Sequence, residues 1–356
     1  MEGLSLENIA KLEETIAPFS AFSSIEFLDI TNNNAPKENQ EIKKNQAVKS
    51  DHYQNIDPII ANKIEELFTK LSDFSQKRFS KMIMCRFFFA SLFPQYDKMI
   101  MFDVDTLFVN DMSESFFIPL ETHYFGAVRE KDLIAINRNS AKDLYELRQM
   151  HAKSIGVADA FPNLEEAQIL FDNYFNAGFL ALNLKSWREE NLENQLIGFF
   201  LLKNEKLLFS DQDALCFVCR GRILELPYSY NAHPSFLDTP SFPSIKEAHM
   251  LHFWGDKPWK LLSVIGAKKW HEILIQTPFK DAYFNASFLD HLFESLQNKD
   301  KDKETQEIHA LNKILSFSDR RHSFEFLLPR LSSKLLIEFL LFKIKQKVKR
   351  LIKRVF

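Results

Sequence analysis

The chain has 356 residues and a hydrophobic fraction of 46%, which is enough for one large α/β domain with an appendage. Its net charge of −3 gives no global indication of nucleic-acid binding, and its three cysteines, an odd and low count, favour a reducing compartment. No apolar run reaches the roughly 20 residues that a transmembrane helix needs. The N-terminus is acidic and amphipathic, unlike a signal peptide.

The first part of the chain predicts a helix, a strand and a polar segment. Apolar residues recur at helical spacing up to Ile16, with Ser5 as N-cap, and residues 25–30 (IEFLDI) predict a strand. Residues 31–55 are rich in Asn, Lys and Gln, which predicts a surface insertion.

Residues 59–71 and 79–93 predict two further helices. Arg86 is a lone charge in the very apolar second helix. Two roles remain open for it: a partly buried ion pair, or a contact that holds a carboxylate or phosphate in a site.

The central stretch is residues 96–111, YDKMIMFDVDTLFVND. Its apolar run predicts a strand that is buried on both faces and ends at Asp103. Because residues two apart point to the same side of a strand, the carboxylates of Asp103 and Asp105 are expected to lie together. They would repel each other unless a cation or proton lies between them, so removing one is expected to relieve repulsion in the metal-free protein. A divalent metal site and a strand-end turn with two solvated acids both remain open.

The second half predicts further strands and helices in alternation. Strands are predicted at residues 125–128, 179–184, 223–226 and 250–254, and a helix at 187–202. A second helix is expected to start with Ser210 to Asp213 as N-cap and first turn, since acids near a helix N-terminus are usually caps. A histidine next to a loop lysine, as in HMLHFWGDKPW, fits either a satisfied core histidine or a metal ligand beside a phosphate contact.

Four blocks occur in one order along the chain: YDKMIMFDVDTLFVND, YFNAGFLALNLKSW, SDQDAL and HFWGDKPW. Together they resemble glycosyltransferase family 8, from about residue 3 to about residue 280. The resemblance implies an α/β fold of the GT-A type, with a Rossmann-like, mostly parallel sheet flanked by helices. It also implies transfer of a hexose from UDP-galactose or UDP-glucose, with retention at the anomeric carbon. The implied cofactor is Mn²⁺, with Mg²⁺ as the alternative.

The resemblance also assigns roles to individual residues. The implied metal ligands are Asp103, Asp105 and His252. The residues implied to contact the donor are Arg86, Asn176, Asp211, Gln212, Gly255 and Lys257. Of these, Gly255 and Lys257 would contact the phosphates, and Asp211 and Gln212 would act at the reacting sugar.

The chain departs from the family pattern in several places. The GDKPW segment is one residue shorter than usual, which leaves the reach of Lys257 open. Cys216 replaces an asparagine, and Arg129–Glu130 stands where another acid-containing stretch is expected. The opening strand and uracil-binding loop of the family are not visible. We therefore expect an N-terminally incomplete domain that binds UDP-sugar poorly.

The C-terminal part predicts an appendage with two segments. Residues 281–333 are expected to form a helical extension with a charged linker, after a glycosyltransferase domain at residues 1–280. Residues 334–356 carry eight Lys or Arg against one acid, Glu338, with apolar residues at helical spacing. This pattern is typical of an amphipathic helix on an anionic membrane surface. A C-terminal helix that packs on the domain is the alternative.

The leading functional hypothesis is a Mn²⁺-dependent hexosyltransferase that extends a lipopolysaccharide- or lipooligosaccharide-type glycan. Its expected location is cytoplasmic and peripheral, on the inner face of the cytoplasmic membrane, with a glycan or glycolipid acceptor and no nucleic-acid partner. One alternative is an inactive truncated remnant or membrane-associated scaffold with a GT-A core. A metal-dependent phosphoesterase is a further alternative, but it gives the YFNAG and DQD blocks no role.

Overall fold

Helices and strands both occur throughout the described part of the chain. The computed structural model describes residues 5–23, 25–30, 53–130, 140–157, 160–237, 244–260 and 264–283. The strands are β1 (Phe27–Asp29), β2 (Tyr53–Asn55), β3 (Lys98–Phe102), β4 (Thr106–Phe108), β5 (Phe125–Arg129), β6 (Phe175–Asn183), β7 (Ile223–Leu226) and β8 (Met250–His252).

The helices lie before, between and after these strands. The α-helices are α1 (Leu6–Ile16), α2 (Pro58–Thr69), α3 (Asp73–Arg78), α4 (Phe89–Leu92), α5 (Ala141–Ser154), α6 (Ala167–Asp172), α7 (Leu184–Glu189), α8 (Leu192–Lys203), α9 (Ser210–Val218), α10 (Ala267–Leu274) and α11 (Lys280–Tyr283). Most of the expected extension at 281–333, and the basic tail at 334–356, lie outside the described residues. Within the described ranges, no helix is long and apolar enough to cross a membrane.

The largest described sheet has the strand order β3-β6-β5-β7. Strand β6 pairs antiparallel with both β3 and β5, whereas β5 and β7 are parallel. The expected α/β class is confirmed. The pairing in the described residues is mixed rather than mostly parallel, because β6 runs against both of its neighbours.

Strand β6 lies at the centre of this sheet and carries its core. Eight of its nine residues are buried, including Phe179 and Leu182. The residues of β3, in contrast, are half-buried or exposed. The expectation that β3 is buried on both faces was therefore wrong. Among the described strands it is hydrogen-bonded to β6 alone and forms an edge of this sheet.

Two early segments differ from their predicted structure. Tyr53–Asn55 was predicted as the end of a polar insertion, but it forms β2 and pairs in parallel with β1. The segment predicted as one helix at residues 79–93 is mostly a 3-10 helix, Lys81–Phe88, and only its end is α-helical. The α1 prediction is confirmed, and the Ser5 hydroxyl accepts the N–H of Asn8 at 3.2 Å.

A buried ion pair fixes the start of helix α9. Asp213 accepts the backbone N–H groups of Leu208 and Phe209 at 3.2 and 3.1 Å, and it pairs with Arg148 from α5. The prediction that Ser210 caps this helix was wrong. Its buried hydroxyl has no hydrogen-bond partner among the described residues, and Asp213 supplies the side-chain acceptor instead.

Candidate active site

Two short strands bring the acids after β3 next to His252. Strand β4 pairs antiparallel with β8, with Thr106 opposite His252. The Asp103 N–H donates to the Gly178 carbonyl of β6, and the Phe253 N–H donates to the Asp105 carbonyl, both at 2.9 Å. This turn leaves the side chain of Val104 fully exposed at 102%. The pairing therefore places both carboxylates beside the end of β8.

One oxygen of each carboxylate faces the imidazole. His252 Nε2 lies 3.3 Å from Asp105 Oδ1 and 3.6 Å from Asp103 Oδ2. The three residues offer ligand atoms that all lie within 4.8 Å of one another. The structure thus brings together the three residues that the resemblance implies as metal ligands.

The other oxygen of each carboxylate pairs with a cation. Arg86 donates to Asp103 Oδ1, and Lys257 donates to Asp105 Oδ2. Burial raises the pKa of Asp105, but its contacts with His252 and Lys257 outweigh burial and lower that pKa below its usual range. The repulsion expected between two isolated acids is therefore offset by positive side chains on both sides.

Arg86 links the acids after β3 to helix α9. Its guanidinium donates to Asp103 and also to Asp211, the second residue of that helix. Burial lowers the pKa of Arg86, but the two carboxylates outweigh burial and raise it above its usual value. Gln212 accepts the Ala177 N–H at 2.9 Å through its side-chain oxygen. Helix α9 and strand β6 are therefore joined at the candidate site.

Lys257 reaches the site despite the shortened segment after β8. Gly255 has a φ of +102°, a backbone conformation that favours glycine. The chain then turns so that Lys257 Nζ donates to the Phe253 carbonyl at 2.6 Å and to Asp105.

Glu130 and Asn231 also lie at the candidate site. From the sequence, Glu130 was noted only within a departure from the family pattern, and Asn231 was given no role. Asn176 donates to Glu130 Oε2 at 2.7 Å and accepts the amide of Asn231 at 2.7 Å. Burial raises the pKa of Glu130, with its contacts to Asn176, His252 and Gln212 acting in the opposite direction. Glu130 directly follows a strand, as Asp103 does, and that position is a signal for a site residue. Asn231 lies in a loop without such a signal.

The residues present fit a divalent cation. Two carboxylates and one imidazole nitrogen form a mixed oxygen and nitrogen donor set, which suits Mn²⁺ better than Ca²⁺ or Mg²⁺. The imidazole of His252 also packs against the backbone of β6. A Cβ added at Gly178 would lie 2.1 Å from His252 Cε1, so only glycine leaves room for this ring.

His233 is held as a neutral imidazole beside this site. Its Nε2 lies 3.1 Å from the carbonyl oxygen of Trp254, and its Nδ1 accepts the N–H of Ser235 at 3.3 Å. Protonation of Nδ1 would remove the second contact. Burial lowers the pKa of His233 from 6.5 to about 4.

We therefore expect stability to depend on pH through His233. The unfolded chain takes up a proton that the folded imidazole resists, so the free energy of unfolding should fall by up to about 3 kcal/mol as pH decreases from 6.5 to about 4. Urea unfolding of wild type and His233→Asn at several pH values isolates this contribution, because asparagine can accept the Ser235 N–H without titrating. The same pH dependence in both proteins would contradict the prediction.

Comparison with known proteins identifies the family. The sequence profile of glycosyl transferase family 8 matches residues 5–262, which is more than half of the chain. The chain belongs to glycosyltransferase family 8. The expected family is thus confirmed, and its GT-A fold agrees with the α/β sheet described above.

Curated relatives of the family 8 chain match over part of their length. A putative glycosyltransferase of Haemophilus influenzae is 28% identical over 142 residues, covering 40% of this chain and 36% of that protein. The lipopolysaccharide 1,2-glucosyltransferase of Escherichia coli is 24% identical over 205 residues, covering 55% of this chain and 54% of that protein. The chain therefore spans less than two thirds of either relative.

Solved structures are similar at a lower level. The galactosyltransferase LgtC in complex with donor and acceptor sugar analogues has a TM-score of 0.48 and 18% identity, over 76% of this chain and 90% of its own. The apo structure of the bifunctional glycosyltransferase WbbM has a TM-score of 0.43 and 24% identity, over 58% of this chain and 37% of its own.

Proposed function

We propose that this family 8 chain transfers a hexose, galactose or glucose, from a UDP-sugar to a lipopolysaccharide- or lipooligosaccharide-type glycan, with retention at the anomeric carbon. The observation that carries the proposal is the convergence of Asp103, Asp105 and His252 between two cationic side chains. The family match and the name of the Escherichia coli relative support the reaction and the acceptor class.

Asp103, Asp105 and His252 are proposed to hold Mn²⁺, with Mg²⁺ as the alternative. When bound, the ion supplies positive charge that stabilises the departing diphosphate. In each carboxylate, one oxygen faces His252 and the other pairs with a cation, so the ion pairs hold the carboxylates in place. These residues are therefore oriented before a donor arrives.

Lys257 and Gly255 are proposed to contact the donor phosphates, and Arg86 is proposed to lie beside the donor. The guanidinium of Arg86 presents a planar set of donors that suits carboxylate or phosphate oxygens, and Lys257 supplies a compact positive charge. A Cβ added at Gly255 would meet nothing within 4 Å, so its backbone is open to close approach.

Asp211, Gln212 and Asn176 are proposed to bind the donor sugar. A glycosyl transition state resembles an oxocarbenium ion, which nearby carboxylate and amide oxygens stabilise. Asp211 is held by Arg86 and Gln212 by the backbone of β6, so both oxygens have fixed positions. Asn176 already makes three hydrogen bonds within the protein, and a single amide hydrogen is left for a direct contact.

A donor assay with the purified full chain tests the proposal. UDP-galactose and UDP-glucose are supplied separately with Mn²⁺, Mg²⁺ or a chelator, and both UDP release and transfer to a lipooligosaccharide acceptor are measured. We expect release with one donor to be at least roughly 100-fold faster with Mn²⁺ than with chelator. No release with either donor would favour an inactive remnant. Hydrolysis of simple phosphate esters without transfer would favour a phosphoesterase.

The basic segment at residues 334–356 is proposed to place the enzyme on the inner face of the cytoplasmic membrane, where a glycolipid acceptor would be within reach. Its one-sided charge is the supporting observation.

We expect the full chain to sediment with anionic vesicles and a chain ending at residue 333 to stay in the supernatant, with little change in activity on a small acceptor. Equal sedimentation with neutral vesicles would contradict an electrostatic anchor.

A further inference from the structure

We infer that Asn231 is a positioning residue for His252. Its side-chain amide, oriented by Asn176, keeps the hydrogen of the imidazole on Nδ1, so that Nε2 is the nitrogen that faces Asp103 and Asp105. The inference deepens the proposed function, on which it rests for the role of the metal.

The orientation of Asn176 follows from its partners. The backbone N–H of Gly178 lies 2.9 Å from one atom of the Asn176 amide. Because a backbone N–H can only donate, that atom is the oxygen. The nitrogen of the same amide then points to the Glu130 carboxyl group at 2.7 Å, which accepts. Both ends of the amide therefore require the same orientation.

The orientation of Asn231 follows in turn. One atom of its amide lies 2.7 Å from the Asn176 oxygen, which can only accept, so this atom is the NH₂ group. The Asn231 oxygen is consequently the atom 2.9 Å from His252 Nδ1. An oxygen at that position accepts, and Nδ1 must carry the hydrogen. The opposite orientation would place two oxygens at 2.7 Å with no hydrogen between them.

Burial makes this chain of hydrogen bonds hard to replace. Asn231 is fully buried, and His252 and Asn176 are buried as well. A buried polar group without a partner is costly. The imidazole also lies against the backbone of Gly178, where no side chain fits. Gly178 therefore fixes the position of the ring, and Asn231 fixes which ring nitrogen carries the hydrogen.

A metal ion binds the imidazole nitrogen that lacks a hydrogen. The hydrogen-bond partner of the other nitrogen determines which of the two nitrogens carries the hydrogen. With Nδ1 committed to Asn231, the nitrogen without a hydrogen in neutral His252 is Nε2, 3.3 Å from Asp105 Oδ1. Asn231 is uncharged, so it fixes the hydrogen without adding a further negative charge beside Asp103 and Asp105.

The test measures the imidazole directly and then the metal affinity. In the metal-free full chain at alkaline pH, nitrogen NMR of labelled histidine is expected to show a hydrogen on Nδ1 of His252, with His252→Gln identifying the signals. Asn231→Ala is expected to lose this fixed tautomer. In the absence of nucleotide, its affinity for Mn²⁺, measured by calorimetry, is expected to be 10- to 100-fold lower than that of the wild type.

Asn183→Ala is the control, because it removes another asparagine whose side-chain oxygen accepts a hydrogen bond within the protein. Asn183 lies at the opposite end of β6 and caps α7 by accepting the Ser186 N–H at 3.1 Å. This variant is expected to be less stable but to keep the wild-type tautomer and Mn²⁺ affinity.

Two results would overturn the inference. The first is a wild-type protein whose neutral His252 carries the hydrogen on Nε2, a result that does not depend on whether any variant folds. The second is an Asn231→Ala protein with wild-type Mn²⁺ affinity. A wild type that binds no Mn²⁺ would instead contradict the proposed metal site, while the hydrogen on Nδ1 would still support the positioning of the ring.

Discussion

Replacing Asp103, Asp105 or His252 by alanine is expected to lower Mn²⁺-dependent transfer by at least roughly 100-fold while the fold is retained. Each change removes one of three ligand atoms that face one another. The measurements are transfer to a glycan acceptor and Mn²⁺ binding by calorimetry, with circular dichroism to check the fold. Asp103→Asn, which keeps the shape and removes the charge, should behave like Asp103→Ala.

Asp97→Asn is the control for loss of an acid near the same strand. Asp97 precedes β3, its side chain is 74% exposed, and it pairs with Arg188 rather than with the site. Its replacement should leave transfer near the wild-type rate. If Asp103→Ala keeps near wild-type turnover, the metal assignment is wrong.

The structure changes the stability expected for these variants. From the sequence, removal of one acid should relieve repulsion in the metal-free protein. Arg86 and Lys257 already offset that repulsion, and Asp103→Ala leaves Arg86 with Asp211 as its remaining carboxylate partner. We therefore no longer expect the variant to gain stability.

Asp213→Ala is expected to lower the free energy of unfolding by about 3–5 kcal/mol. Asp213 is fully buried and pairs with Arg148, which is 3% exposed, so the variant leaves an uncompensated buried charge. Two backbone N–H groups also lose their acceptor. Urea unfolding gives the change in free energy. Since Asp213 anchors the helix that carries Asp211 and Gln212, transfer should fall as well.

Two controls separate burial from charge pairing. Glu225→Ala removes the partner of Arg129 in a solvent-exposed ion pair, so its cost should be at most about 1 kcal/mol. Burial raises the pKa of Asp213, which indicates that the carboxylate is costly to bury even beside Arg148. The double variant Arg148→Met/Asp213→Leu should therefore be more stable than Asp213→Ala. A loss below about 1 kcal/mol for Asp213→Ala would contradict this account.

The part of the candidate site that depends on local sequence pattern, the pair of acids after β3, could be predicted from the sequence. The apolar run before Asp103 ends abruptly, and that change places two acids at a strand end. His252, Arg86 and Lys257 came from the resemblance, and the structure brings all three to these acids. Their catalytic and binding roles stay predictions that the variants above test.

Features that depend on pairing between distant segments were not predictable. Strand β4 has only three residues, too few for a periodic pattern, and β8, although it was predicted as a strand, shows no sign in its sequence of pairing with β4. A register shift between Ala127 and Val128 brings the end of β5 beside Asn176, and a shift of this kind leaves no mark in composition. The partnership of Asn176 with Asn231 likewise joins residues 55 positions apart.

Val104, the exposed residue between Asp103 and Asp105, is a position at which a labelling reagent can reach the candidate site. The side chain of Val104 projects into solvent, whereas all three native cysteines are buried. A thiol introduced by Val104→Cys would thus be the accessible one, and maleimide dyes or nitroxides would attach there selectively. Such a label sits one residue from each acid, so its fluorescence or spin relaxation reports on ion and nucleotide arrival in real time, without a coupled enzyme assay.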